Sequence, residues 1–237
     1  MICSRCINYV QATELDLKRY NIQGIIHRLD CKKCNQFVAI KVNDDILDLD
    51  NSFNDKYENN WSEMKTNQER IIYYILCQII YVEFDTPKPE KLETPYDYAD
   101  KFDIVLIRWE NGKPIGFYTI KPKGTEVYST KEKYTMPVLD TAYIRSAYRN
   151  KGFGSEILLD IIKRFPDEDI GFSKPISNDM LKEWKNPPDA GSAASSGSPA
   201  LDGLSLLYDP PLFDKVFAAA VNMMIRFSDW IVLILFI

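Results

Sequence analysis

Four of the five cysteines fall in two Cys-x-x-Cys pairs, Cys3 with Cys6 and Cys31 with Cys34, with 24 residues (7 to 30) between the pairs. Thiolates at that spacing suit one tetrahedral Zn ion shared by two short turns, as in a zinc ribbon. The alternatives are unmetallated thiols and thiol redox chemistry. Neither pair is followed by the glycine common after the second cysteine; Ile7 and Asn35 stand there. The single histidine, His27, lies between the pairs and reads as a surface or loop residue, and Cys77 reads as a core or boundary thiol.

A second group of residues could hold an anion. In "YRNKGFGSEILLDIIKRF", Tyr148 to Phe165, a basic stretch with two glycines leads into an amphipathic pattern. Backbone N–H groups at a helix start, aided by the helix dipole, bind phosphates. Gly152 and Gly154 would let a phosphate approach where a Cβ would stand in the way.

The composition agrees with a small anion as ligand. The chain has 237 residues, 46% hydrophobic content and a net charge of −5, which exclude a chain disordered throughout and argue against a surface that coats nucleic acid. The Met-Ile-Cys start lacks the charged and apolar regions of a secretory signal, so an intracellular, reducing environment is expected. Cysteines there are thiols or metal ligands before they are disulfides.

The elements that must position these groups follow from periodicity. "FVAIKV" predicts a strand ending near Asp44. Asn51 to Glu63 reads as a loop leading into a helix. From Asn67 to Val82, Ile71, Ile72, Ile75, Leu76, Ile79 and Ile80 recur at helical spacing, and the proline-rich run Thr86 to Pro95 ends that helix. "ENGK" between "DIVLIRW" and "PIGFYTIK" predicts an antiparallel hairpin of 104–109 with 115–121. In "VLDTAYIR", Leu139, Thr141, Tyr143 and Arg145 are expected on one face and Val138, Asp140, Ala142 and Ile144 on the other. Gly154 to Phe165 reads as a helix closed by Pro166, a short strand follows within 169–177, and another helix is expected from Asn178.

The chain therefore divides into a small β-rich segment (1–50), a larger α/β unit (51–184), a Gly/Ser/Ala/Pro linker (185–203) and a divergent hydrophobic tail (204–237). Val216 to Ile237 is long enough to span a bilayer, but Arg226, Asp229 and Asn222 offset the gain from its apolar residues. An amphipathic or core-packing helix is expected there rather than a membrane anchor.

The run "LDTAYIRSAYRNKGFGSEILLDII" resembles the central motif of the GNAT acetyltransferase superfamily, here Arg149-Asn150-Lys151-Gly152-Phe153-Gly154. Longer phrases between Gln68 and Lys182, about half the chain, resemble the soluble lamin-associated protein family, whose members carry such a domain. The resemblance implies an α/β (α+β) fold with a mixed, mainly antiparallel sheet flanked by helices. The superfamily's two closing strands and its tyrosine acid have no counterpart in this sequence. By the same resemblance, acetyl-CoA would bind through the amides of Lys151 to Ser155, with charge from Arg149 or Lys151, and through the main chain of Tyr143, Ile144 and Arg145. Asp140 is then the candidate base, or a carboxylate satisfied by its neighbours.

Two functions follow from this. One is transfer of acetyl to an amine. The other is a non-catalytic interaction protein at the nuclear periphery with a nuclear-envelope or lamina partner; the cytoplasm is the alternative location. No nucleic-acid partner is expected from the acidic balance.

Overall fold

A computed structural model describes residues 3, 6–49, 57–127, 130, 132–173 and 177. The expected helix after Asn178, the linker and the hydrophobic tail lie outside these residues. Among the described residues no helix is long and apolar enough to cross a membrane.

Two sheets enclose one helix. The first is antiparallel, in the order β1 (Val10–Leu15), β2 (Ile26–Cys31), β3 (Phe37–Val42) and β4 (Asp45–Leu47). Asn43, at φ 52°, turns β3 into β4, and its side chain accepts a hydrogen bond from the Ile25 N–H at 3.1 Å. The second sheet runs β5 (Trp61–Glu63), β6 (Ile104–Glu110), β7 (Lys113–Lys121), β8 (Val138–Ile144) and β9 (Gly171–Phe172). Its pairs are antiparallel except β8 with β9, which is parallel. Asn111 and Gly112 both have positive φ, 49° and 68°, so the expected hairpin closes with the turn its Asn-Gly pair predicts. Part of the segment expected as a loop is instead the edge strand β5.

Helix α1 (Asn67–Tyr74) starts in a full capping box, with Thr66 accepting from the Glu69 N–H and Glu69 accepting from the Thr66 N–H. It continues as a wider π-helical stretch, Ile75–Phe84. This helix is buried on more than one side because it lies between the sheets: one apolar cluster joins Leu17, Ile22, Ile26, Ile40 and Leu47 of the first unit, Ile71 to Tyr81 of the helix, and Val105, Ile107, Phe117 and Tyr143 of the second sheet. Each fully buried isoleucine contributes about 1.5–3 kcal/mol. The opposite face of the second sheet packs Leu106, Tyr118, Ile120 and Leu139 against Ile157 and Ile161 of α2 (Phe153–Arg164).

The expected alternation along β8 is corrected. Thr119 pairs with Thr141 and Ile120 with Leu139, so Asp140 is an extra, bulged residue. Leu139 and Ala142 therefore pack together on the α2 side, and Tyr143 faces α1. A one-residue bulge shifts every side chain after it to the other face.

Candidate functional site

The site begins where β9 leaves β8. The two strands pair only at Val138–Gly171 and Leu139–Phe172, and the Ser173 N–H then donates to the Leu139 carbonyl at 2.9 Å. Beyond that point no described strand lies beside β8 on this edge. The Arg145 N–H donates to Ile115 O at 2.9 Å, towards β7, so by alternation the main-chain groups of Tyr143 and Arg145 face β7 while those of Ala142 and Ile144 face the open edge. Two side chains cover its carbonyls: the Tyr96 hydroxyl donates to Ala142 O at 3.1 Å, and Arg149 Nε donates to Ile144 O at 2.9 Å.

The glycine loop closes the far end of this edge. A single tight turn, Ser146–Tyr148, leads through Asn150 at φ 60° to Gly152 at φ 84°, which starts α2 without a side-chain cap. The first amides of Phe153, Gly154 and Ser155 thus begin a helix that no described side chain caps. A Cβ on Gly152 would meet no protein atom within 4 Å, so within the protein glycine is needed there for its backbone angle rather than for space. Phe153 and Gly154 are buried, and the buried Ser155 Oγ has no hydrogen-bond partner among the described residues.

The cations near the loop differ. Arg149 Nη1 lies 3.2 Å from Oε1 of buried Glu93, whose Oε2 accepts from the Lys88 N–H at 3.0 Å. Lys151 is exposed, like Asn150, with its ammonium 5.2 Å from the Tyr148 ring centroid; Arg145 is half-buried. Tyr143 is buried and donates to Asp85 Oδ2 at 2.6 Å, while Ser146 gives Asp85 its N–H at 2.7 Å and its hydroxyl at 2.6 Å. Burial first, and then the Asp85 carboxylate, hold the Tyr143 phenol far above its ordinary range. The residue that closes the π-helical stretch thereby fixes the end of β8.

Asp140 sits at the fork, aimed by the bulge. Its Oδ1 accepts from Ser173 Oγ at 2.6 Å, and its Oδ2 is 3.7 Å from Lys121 Nζ. Lys121 also reaches Asp103 at 2.9 Å and Asp100 at 3.0 Å. Burial alone would lower the lysine's pKa, but its bonds to Asp103 and Asp100 and the charge of Asp140 raise it overall. Burial raises the Asp103 carboxyl against the pull of Lys121. The arrangement offers a carboxylate beside an ammonium at the fork. Tyr96, Glu93, Asp85, Lys121 and Ser173 were not singled out from sequence. The first three belong to the end of the helix and the loop after it, where no periodicity marks a residue that tertiary structure brings to a site.

The four cysteines of the two pairs come together. All four Sγ atoms lie within 4.8 Å of one another; Cys3 and Cys31 are buried, Cys6 and Cys34 half-buried. Both turns have the same main-chain bonds: Ile7 N–H to Cys3 O and Asn35 N–H to Cys31 O, then Cys3 N–H to Asn8 O and Cys31 N–H to Gln36 O, each 2.9 Å. Ile7 and Asn35 stand at φ 51° and 55°, the left-handed conformation a glycine would take. Amide N–H groups of Cys34 and Lys33 pull the Cys31 thiol down to about 7, whereas its bond with Cys34 pushes Cys6 up to about 11. His27 lies in strand β2 rather than a loop, half-buried, with a buried Nδ1 that has no partner among the described residues. Cys77 is a core thiol that burial pushes up to about 11.

The sequence model of the acetyltransferase (GNAT) family matches residues 71–177, which run from helix α1 through the fork and α2 past β9. Protein FAM169BP of Homo sapiens is 33% identical over 118 residues, 48% of this chain and 60% of its own length. Protein FAM169B of Mus musculus is 32% identical over 123 residues, 48% of this chain and 34% of its own length. The matched part of the chain thus spans less than two thirds of the first relative and about a third of the second. Among solved structures, a ribosomal-protein-alanine N-acetyltransferase from Brucella melitensis is similar with a TM-score of 0.34 and 12% identity, over 52% of this chain and 87% of that one. An aminoglycoside 6'-N-acetyltransferase from Acinetobacter baumannii gives 0.33 and 11%, over 52% and 84%.

Proposed function

We propose that this chain binds acetyl-CoA along the open edge of β8 and transfers the acetyl group to an amine. The observation that carries the reading is the fork itself: a strand edge, beside which no described strand lies, that runs from a bulged carboxylate, Asp140, to a helix start at Gly152 that no described side chain caps. The family match over residues 71–177 supports it.

The residues present fit such a ligand. The main chain of Ile144 lies on the open edge, where an extended pantetheine arm would run in place of the Arg149 contact, and the amides of Phe153, Gly154 and Ser155 would offer an anion the positive end of the helix dipole. Ser155 Oγ is a buried hydroxyl without a partner among the described residues, and exposed Lys151 supplies a charge that no described carboxylate neutralises. Acetyl-CoA, when bound, supplies the activated thioester. Asp140 would take the proton of an incoming ammonium, with Ser173 fixing its carboxylate and Lys121 balancing its charge.

Titration calorimetry with acetyl-CoA on the natural chain and on Gly152→Trp tests this. Binding to the first and not to the second is expected; no binding to the natural chain sinks the reading. Release of free CoA thiol with polyamines or lysine peptides would then show transfer.

A second reading is a non-catalytic interaction protein of the same fold. It is favoured by the covered edge, since Tyr96 and Arg149 already satisfy the carbonyls of Ala142 and Ile144. A lamina or nuclear-envelope partner belongs with this reading and rests on family resemblance. Acetyl-CoA binding without thiol release towards any amine would favour it.

A further inference from the structure

We infer that Cys3, Cys6, Cys31 and Cys34 bind one zinc ion, and that this ion is structural: it closes the first sheet and so stabilises the helix that both sheets share. The inference is independent of acetyl transfer. A tetrahedral ion with four Zn–S bonds of about 2.3 Å sets its sulfurs about 3.8 Å apart. The four Sγ atoms already lie within 4.8 Å of one another, so closing the site needs only small side-chain movements. Four protein ligands leave no position for water or substrate, which marks a structural centre rather than a catalytic one.

The backbone is built for this shape. The two turns repeat the same pair of main-chain hydrogen bonds, and both place a non-glycine residue, Ile7 or Asn35, at positive φ. An exposed isoleucine in that conformation gains nothing from packing, and such strain persists only where something else fixes the turn. The turns are also joined: the Lys32 N–H donates to Tyr9 O at 3.1 Å, and Val10 stands opposite Cys31 in the β1–β2 pair. The Lys33 N–H points at Cys31 Sγ at 3.4 Å, a donor suited to thiolate rather than thiol. On metal binding, each coordinating thiol gives up its proton to solvent.

The consequence reaches past the ribbon. Leu17, Ile22, Ile26, Ile40 and Leu47 share a cluster with Ile71 to Tyr81. Arg28 on β2 grips Glu83 through Nη1 and Nη2 at 2.5 and 2.7 Å, and Asn67 exchanges two hydrogen bonds with the Gln23 backbone. Losing the ion would loosen one wall of α1.

Elemental analysis of the full chain, purified without chelator, is expected to give one zinc per molecule. Exchange for cobalt should give the intense visible and thiolate charge-transfer bands of a tetrahedral tetrathiolate site. A mercurial that blocks the thiols should release the zinc and lower the melting temperature. Cys34→Ser should lose the metal, whereas His27→Gln should keep it and the cobalt spectrum. Because Cys34→Ser could fail to fold, the cobalt spectrum of the natural chain decides. A folded chain with no metal, with iron, or with these cysteines as disulfides overturns the inference, as does a melting temperature that zinc release leaves unchanged.

Discussion

Arg149 holds Glu93 at the open end of the β8–β9 fork, with Nη1 3.2 Å from Oε1, while its Nε donates to Ile144 O. The arginine of the glycine loop is thus bound from within, and the charge facing solvent there is Lys151. Glu93 is 8% exposed, so Arg149→Ala leaves a nearly buried carboxylate with little besides the Lys88 N–H. Allowing for the partial exposure of Arg149, a loss of about 2 kcal/mol is expected in urea unfolding. Adding Glu93→Gln should recover most of it; an Arg149→Ala chain as stable as the natural one would show that the pair does no structural work.

Asp140→Asn keeps an acceptor for Ser173 but removes the charge beside Lys121. If acetyl transfer occurs as proposed, turnover should fall by about 10²–10⁴ with acetyl-CoA affinity unchanged. Unaltered turnover would leave Asp140 as a carboxylate satisfied by its neighbours.

Gly116 lies opposite Ile144 on β7, and a Cβ there would come 2.6 Å from Ile144 Cδ1 and 3.2 Å from its Cα. The second contact is backbone and cannot rotate away. Gly116→Ala should therefore push β8 outward and cost about 1–3 kcal/mol in thermal unfolding. A variant of natural stability would mean that the strands part freely.

Burial raises the phenols of Tyr73, Tyr96, Tyr98, Tyr118 and Tyr143, and that of Tyr81 to about 12. Unfolded tyrosine titrates near 10. Because the folded values are the higher ones, this contribution to stability is complete below pH 10 and is lost as pH rises through the folded values. Ultraviolet titration should show these phenolates appearing together with loss of structure. A smooth titration near pH 10 in a chain that stays folded would contradict the burial.

Ile7→Gly removes a β-branched side chain from left-handed backbone at a site 82% exposed, so no packing is lost. A gain of about 1 kcal/mol is expected even after the added freedom of the unfolded chain. A destabilised variant would show that this turn is not strained.

What the sequence disclosed follows from how local each signal is. The helix over Asn67 to Val82 and the Asn111-Gly112 hairpin need only periodicity and a turn pair, and both stand in the structure. Thiol spacing was enough to pair Cys3 and Cys6 with Cys31 and Cys34. The three residues of β5 carry no such pattern, since β6 sets their register. The bulge at Asp140 was hidden because its neighbours suit either face. Tyr96, Glu93 and Asp85 reach the fork through tertiary packing of an aperiodic loop, which single-sequence reasoning does not see.

The shared helix also sets an order of events during synthesis. The first sheet is complete at Leu47, but the helix that covers Ile26, Ile40 and Leu47 ends only at Phe84. At roughly 5–20 residues per second, the ribosome leaves that apolar face bare for a few seconds. In that interval the nascent sheet has its hydrogen bonds but no roof, and a chaperone or a neighbouring chain competes with α1 for the same surface.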